Sequence, residues 1–208
     1  MKIIIFGAAG GIGKYIVEQA CAAGHEVTAF QHKAPVLSDS QQTIRIVQGD
    51  LFDLLSVKEA VRGQDIVLTS HGARTLKDRD VYLAGTSNIL LAMQEHSIKR
   101  LVSLTSAAVD DNADVGFFFG KIIKPLFLKN GYKAMQQAEG VLEQSDLDWT
   151  IVRPGALTDG PHTATYRVSD QGMPKGSLRK ISRMDVADLM VKEATDARHI
   201  HKKLVIVY

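Results

Sequence analysis

The sequence predicts an α/β fold: a single domain (residues 1–208) on a doubly wound parallel sheet, with substrate loops after the fifth and sixth strands. Three observations carry this. Short β-branched runs without polar alternation, the mark of strands covered on both faces, alternate with segments of helical periodicity. The first run leads straight into a glycine-rich turn, Gly7-Ala8-Ala9-Gly10-Gly11-Ile12-Gly13, that opens a helix. The chain of 208 residues is 45% hydrophobic and 23% charged, enough to bury one full core and too ordinary for extended disorder or coiled coil.

The elements follow in order. Ile3 to Phe6 read as a buried strand. Ile12, Ile16, Val17 and Ala20 recur at helical spacing, and Gly24 stands where that helix stops. Val27–Phe30 and Ile44–Val47 are the next strands, then a helix over Ser56–Val61 with Gly63 as its stop. Ile66–Thr69 make the fourth strand, Val81–Glu95 a long helix and Leu101–Leu104 the fifth strand. Lys133–Gln144 read as a helix and Trp149–Val152 as the sixth strand. Gly155 to Gly176 are rich in Gly, Pro, Thr and Asp and read as loops. Arg183–Glu193 form a helix with Met184, Val186, Ala187, Met190 and Val191 facing inward, and Leu204–Val207 close the sheet. Parallel strands need right-handed crossovers, which leaves the doubly wound order as the natural topology.

Composition excludes several functions. The net charge of +2 is too small for a general nucleic-acid-binding field. Cys21 is the one cysteine, so neither an intramolecular disulfide nor a cysteine metal site can form. The longest uncharged run, Val81 to Gln94, is too short to span a bilayer. Met1 to Phe6 run into a glycine turn rather than a cleavage site, which argues against a signal peptide. The expectation is a soluble cytoplasmic protein with no nucleic-acid, membrane or metal partner, acting as a monomer or homodimer.

The glycine turn carries the chemistry. Gly7 permits the exit from the strand, Gly10 lets backbone approach a pyrophosphate, and Gly13 lets the helix pack on the sheet. The helix N-terminus offers free N–H groups and a positive dipole end to phosphates. Gly7, Ala9, Gly10, Gly11, Ile12 and Gly13 are therefore the expected dinucleotide-binding turn of a Rossmann fold. An acid at the end of the second strand would select NAD through its ribose hydroxyls. Phe30, Gln31, His32 and Lys33 stand there instead, and no acid follows until Asp39. His32 and Lys33 are expected to meet the 2′-phosphate of NADPH; otherwise Lys33 is a solvated loop residue. Asp50 is placed to accept from the adenine amino group or to cap the following turn, and Leu51 to pack on the ring. His71 and Gly72 end the fourth strand where backbone passes close to the cofactor.

These residues together resemble the atypical short-chain dehydrogenase/reductase group, in its NmrA-like and biliverdin-IXβ/flavin reductase branch. The resemblance rests on Ile5-Phe6-Gly7-Ala8-Ala9-Gly10, Gly24-His25-Glu26-Val27-Thr28, Gly49-Asp50, Gly63-Gln64-Asp65, Gly72-Ala73-Arg74, Thr105-Ser106-Ala107, Thr150 to Gly155 and Ile181 to Ala187. It implies NADPH in an extended pose, with Ser106 beside the nicotinamide and Pro154-Gly155 along its edge. It also implies a small reductase of flavins, tetrapyrroles or quinone-like acceptors. The sequence departs from the group in three ways. His32 stands where arginine is usual, and Gly155 where flavin reductases carry histidine. None of the five tyrosines has a lysine four residues on, so the usual tyrosine–lysine proton donor is absent.

Hydride transfer is then the cofactor's own chemistry, and the protein positions two flat rings. Ser106 is the candidate to orient the nicotinamide or the acceptor. Tyr132, His71 and His162 are candidate proton donors by type. The Phe117–Phe119 cluster and the lysines Lys121, Lys124 and Lys129 read as a lid over the acceptor or as an oligomer interface. Two functions remain: an NADPH-dependent reductase of a small planar acceptor, and a non-catalytic NmrA-like dinucleotide sensor acting on a protein partner.

Overall fold

The computed structural model describes residues 1–32, 44–73, 78–110 and 129–208. The Phe117–Phe119 segment with Lys121 and Lys124, and Lys33, lie outside the described residues. Ten strands and five helices follow in the order β1 (Lys2–Phe6), α1 (Gly13–Ala22), β2 (Glu26–Gln31), β3 (Arg45–Gln48), α2 (Leu54–Val61), β4 (Ile66–Thr69), α3 (Asp80–Glu95), β5 (Arg100–Leu104), α4 (Lys129–Glu143), β6 (Asp148–Pro154), β7 (Ala156–Thr158), β8 (Arg167–Ser169), β9 (Lys180–Ser182), α5 (Arg183–Thr195) and β10 (Lys202–Val207).

The main sheet has eight strands in the order β3-β2-β1-β4-β5-β6-β10-β8. All neighbours are parallel except β10 and β8. The chain builds outward from β1 to β3, then returns to the other side of β1 at β4, which is the doubly wound pattern. Side chains of β1 alternate between two cores. Ile3 and Ile5 face α1 and α5, where Ile16, Val17, Val186 and Met190 are buried. Ile4 and Phe6 face the other layer, with Phe30, Val57 and Val61 of α2, Ile89 and Met93 of α3 and Leu142 of α4. Burial on both faces is why β1 shows no polar alternation.

Helix ends follow local chemistry. Asp53 caps α2 by accepting from the Leu55 N–H at 3.0 Å, and Ser182 caps α5 by accepting from Asp185 N–H at 3.0 Å. Gly24 and Gly63 both have positive φ, 79° and 75°, just beyond the ends of α1 and α2.

Two expectations need correction. The stretch Gly155 to Gly176 is not all loop: β7 and β8 lie in it. β7 pairs in parallel with β9 as a separate two-stranded sheet, and β8 adds to the edge of the main sheet. All three strands are three residues long; β7 and β8 are largely exposed and β9 buries only Ile181 and Ser182, so no hydrophobic period marks them. On α5, Met184 is only half-buried, while Asp185 and Leu189 are buried in the inward face. Among the described residues no helix is long and apolar enough to cross a membrane.

Candidate functional site

A cleft of about 870 Å³ opens at the carboxyl ends of β1, β2 and β4, the point where the strand order reverses. Its floor is the glycine turn. Gly7 has φ 81°, and a Cβ there would lie 2.6 Å from the His71 amide nitrogen. The turn is closed by the Gly10 N–H donating to the Gly7 carbonyl at 2.9 Å. Gly10, Gly11, Ala9 and Ile12 line the cleft; Gly13 does not, and instead packs its Cα edge against the Gly7 carbonyl. Ile12 begins α1 with no side-chain cap and no acid stands in the first turn, so the positive helix end faces the cleft unscreened.

The β2 side brings Gln31, His32, Asp50 and Leu51 to the cleft. Asp50 caps its own turn, accepting from the Phe52 N–H at 3.0 Å, and its other oxygen lies 3.8 Å from His32 Nδ1. Gln31 is 4% exposed, and neither its amide nitrogen nor its oxygen has a hydrogen-bond partner. A buried amide with both ends unmet is costly unless a ligand meets it.

His71 and Gly72 line the cleft from the end of β4. Burial lowers the His71 pKa to about 4, so the ring is neutral. Its Nε2 lies 3.5 Å from Thr86 Oγ1, while the buried Nδ1 has no partner. The residue is half-buried as a whole, but that nitrogen is closed to solvent. Gln31 and His71 thus present unmet polar atoms beside a phosphate-ready turn, which fits a dinucleotide.

Ser106, Tyr132, Pro154 and Gly155 are not part of the cleft lining; they cluster at the ends of β5 and β6 and the start of α4. The Ala107 N–H donates to the Pro154 carbonyl at 2.9 Å, so the turn after β5 runs alongside Pro154. Tyr132 is hydrogen-bonded to Ser106. Burial raises its pKa, the Ser106 bond opposes the rise, and nearby Tyr82 adds to it. Tyr82 also approaches Gly72: its hydroxyl would lie 3.1 Å from a Cβ there. One helical turn after Tyr132 stands Gln136.

Beneath this pair lies a buried ionic clamp. Arg153 is 6% exposed and Glu139 1% exposed. The Arg153 guanidinium donates to both Glu139 oxygens and, at 2.6 Å, to Asp110. Thr105 Oγ1 donates to Glu139 Oε1 at 2.6 Å, which ties the residue before Ser106 to α4. His162 is not brought to the cleft; its Nε2 lies 3.4 Å from Asp188 on α5.

Gln31 and Arg183 also line the cleft, where the sequence expectations did not place them. Both carried a signal. Gln31 ends β2, where the ribose-reading residue stands, and Arg183 lies in the Ile181-Ser182-Arg183 stretch that carried the resemblance.

A switch-point crevice floored by an open helix N-terminus makes the molecule a dinucleotide-binding α/β protein. Comparison with known families agrees: the model described as NAD(P)H-binding matches residues 7–197, and the chain belongs to that family. A chloroplastic protein of Arabidopsis thaliana is 28% identical over 99% of this chain and 76% of its own. The isoflavone reductase homolog P3 of the same plant is 28% identical over 99% of this chain and 68% of its own. Among solved structures, a putative NADH-flavin reductase from Streptococcus pneumoniae superposes with a TM-score of 0.82 at 25% identity, covering 100% of this chain and 99% of that one. The fold is therefore that of NAD(P)H-binding oxidoreductases.

Proposed function

We propose that the chain is an NADPH-dependent reductase that passes hydride to a small planar acceptor of flavin, quinone or tetrapyrrole type. The observation that carries this is the state of Tyr132. Burial raises its pKa, its partner Ser106 is a neutral hydroxyl, and Gln136 replaces the lysine that would draw the proton off. Such a tyrosine donates a hydrogen bond well and gives up its proton poorly. An acceptor that spreads the arriving negative charge over a ring system needs no more than that. A simple carbonyl would need a stronger acid.

Bound NADPH supplies the hydride. The turn from Gly7 to Ile12 would hold its diphosphate, and Asp50 and Leu51 its adenine. Gln31 and His32 would face the ribose, and neither they nor Lys33, next in the sequence, is acidic, which supports NADPH over NADH. Ser106, with Pro154 and Gly155, would set the nicotinamide plane, and Tyr132 would hydrogen-bond the acceptor. The name of the pneumococcal neighbour, a putative NADH-flavin reductase, supports the acceptor class.

The test is NADPH oxidation by purified protein across free flavins, quinones and linear tetrapyrroles, repeated with NADH. Turnover with one class, faster with NADPH, is expected. Tight dinucleotide binding with no turnover anywhere would replace this reading with that of a dinucleotide sensor.

A further inference from the structure

Arg183, the first residue of α5, reaches the cleft across the glycine turn. A Cβ on Gly11 would lie 3.4 Å from its Nε and 3.6 Å from its Cδ, so the side chain passes over Gly11. That is where the N-terminus of α1 opens. Among the described lining residues Arg183 is the one with a fixed positive charge, set against Asp50, Asp78 and Asp80. A diphosphate entering this cleft meets backbone N–H groups and this guanidinium, whose planar fork matches phosphate oxygens.

The guanidinium already holds an anion. Arg183 Nη1 donates to Asp159 Oδ1 at 2.7 Å. The pairing is built into the fold. β7 and β9 run in parallel with Thr158 opposite Ser182, so residues 159 and 183 leave the small sheet side by side. Thr158 Oγ1 donates to the Ile181 carbonyl at 3.2 Å and fixes that register. Asp159 is 86% exposed, and an exposed ion pair exchanges partners at little cost. A few residues on, the same loop has a second, firm anchor. The buried Asp185 accepts from Thr163 N–H at 2.8 Å, from Thr163 Oγ1 at 2.8 Å and from Ala164 N–H at 2.9 Å.

We propose that Arg183 grips the dinucleotide diphosphate and that Asp159 is its internal competitor, a carboxylate that occupies the guanidinium until the diphosphate displaces it. On exchange the loop after β7 is released at Asp159 and stays anchored at Asp185. Leu157 of β7 lines the cleft, so the exchange links cofactor binding to the loop after the sixth strand. This inference rests on the dinucleotide reading above.

The two residues have opposite expected effects on affinity, which a merely structural ion pair would not produce. Calorimetric titration of NADPH into Arg183→Gln should show affinity weaker by about 10-fold to 100-fold, with Arg183→Lys in between. Asp159→Asn should bind NADPH about 3-fold to 10-fold more tightly, because the competitor is gone. In an Arg183→Gln background, Asp159→Asn should change nothing. Adenosine 2′-monophosphate, which lacks the diphosphate, should bind all variants alike. Thermal melts of each variant separate binding effects from folding. Weaker NADPH binding by Asp159→Asn, or affinities for both single variants equal to that of the unaltered protein, would overturn the inference and leave the dinucleotide reading standing. Failure of the unaltered protein to bind NADPH would overturn both.

Discussion

The Tyr132 hydroxyl on α4 and the Ser106 side chain after β5 share a hydrogen bond. They are distant in sequence, and α4 and β6 bring them together. If the pair only orients the acceptor, Tyr132→Phe should lower kcat with a flavin acceptor by less than about 10-fold and leave the NADPH Kd unchanged. Steady-state kinetics with separate cofactor titration checks this. A loss of about 1000-fold would mean that Tyr132 is a true proton donor and that the acceptor is not charge-delocalising.

The Arg153–Glu139 clamp holds that pair in place. Removing Arg153 leaves the Glu139 carboxylate, 1% exposed, without its guanidinium, a situation that costs about 3 kcal/mol; without Glu139 the Arg153 guanidinium still holds Asp110. Arg153→Met should therefore shift the urea midpoint strongly downward, and Glu139→Ala by less. The double change Glu139→Leu with Arg153→Met should recover most of the loss, since no charge is then stranded. Because Thr105 also bonds Glu139, single variants that still fold should lose turnover before they lose NADPH affinity.

Gly13 is fixed by contact rather than by ligand. A Cβ at that position would overlap the Gly7 carbonyl, and backbone cannot give way as a flexible side chain can. Gly13→Ala should destabilise the protein by about 2 kcal/mol, a fall of roughly 4 to 8 °C in Tm. Differential scanning calorimetry measures it; an unchanged Tm would show that the turn has slack.

His71 makes the fold acid-sensitive. Its folded pKa, about 4, lies below the ordinary imidazole value of 6.5. Above the unfolded value both states are neutral and stability is full. As pH falls from 6.5 towards about 4, the unfolded chain takes up a proton that the native ring refuses, and stability drops. The loss should reach about 3 kcal/mol and level off below the folded pKa. Urea unfolding of the unaltered protein and of His71→Gln across this range isolates the contribution: the variant should show a flatter pH profile.

Much of this was legible from the chain itself. Ile3 to Phe6 are buried on both faces and carry an unbroken apolar run, so β1 and the turn after it stand out. β7, β8 and β9 do not, because three residues are too few to bear a period and their pairing partners come from elsewhere in the chain. The glycine turn, Asp50, Leu51, His71 and Gly72 could be placed by their positions at strand ends. Arg183 could not be assigned a role, because its partner Asp159 lies 24 residues away and meets it only through the β7–β9 sheet. Gln31 was visible as the end of β2, but that both ends of its amide lack partners is a fact of packing.

The most direct test is to mix the protein with NADPH and free flavin, without oxygen, and follow the reduced nicotinamide and the flavin together by absorbance. The proposed reductase predicts flavin reduction that matches NADPH oxidation one for one and is slower with NADH. NADPH that binds in the cleft while neither absorbance changes, with quinones and tetrapyrroles giving the same result, would contradict it.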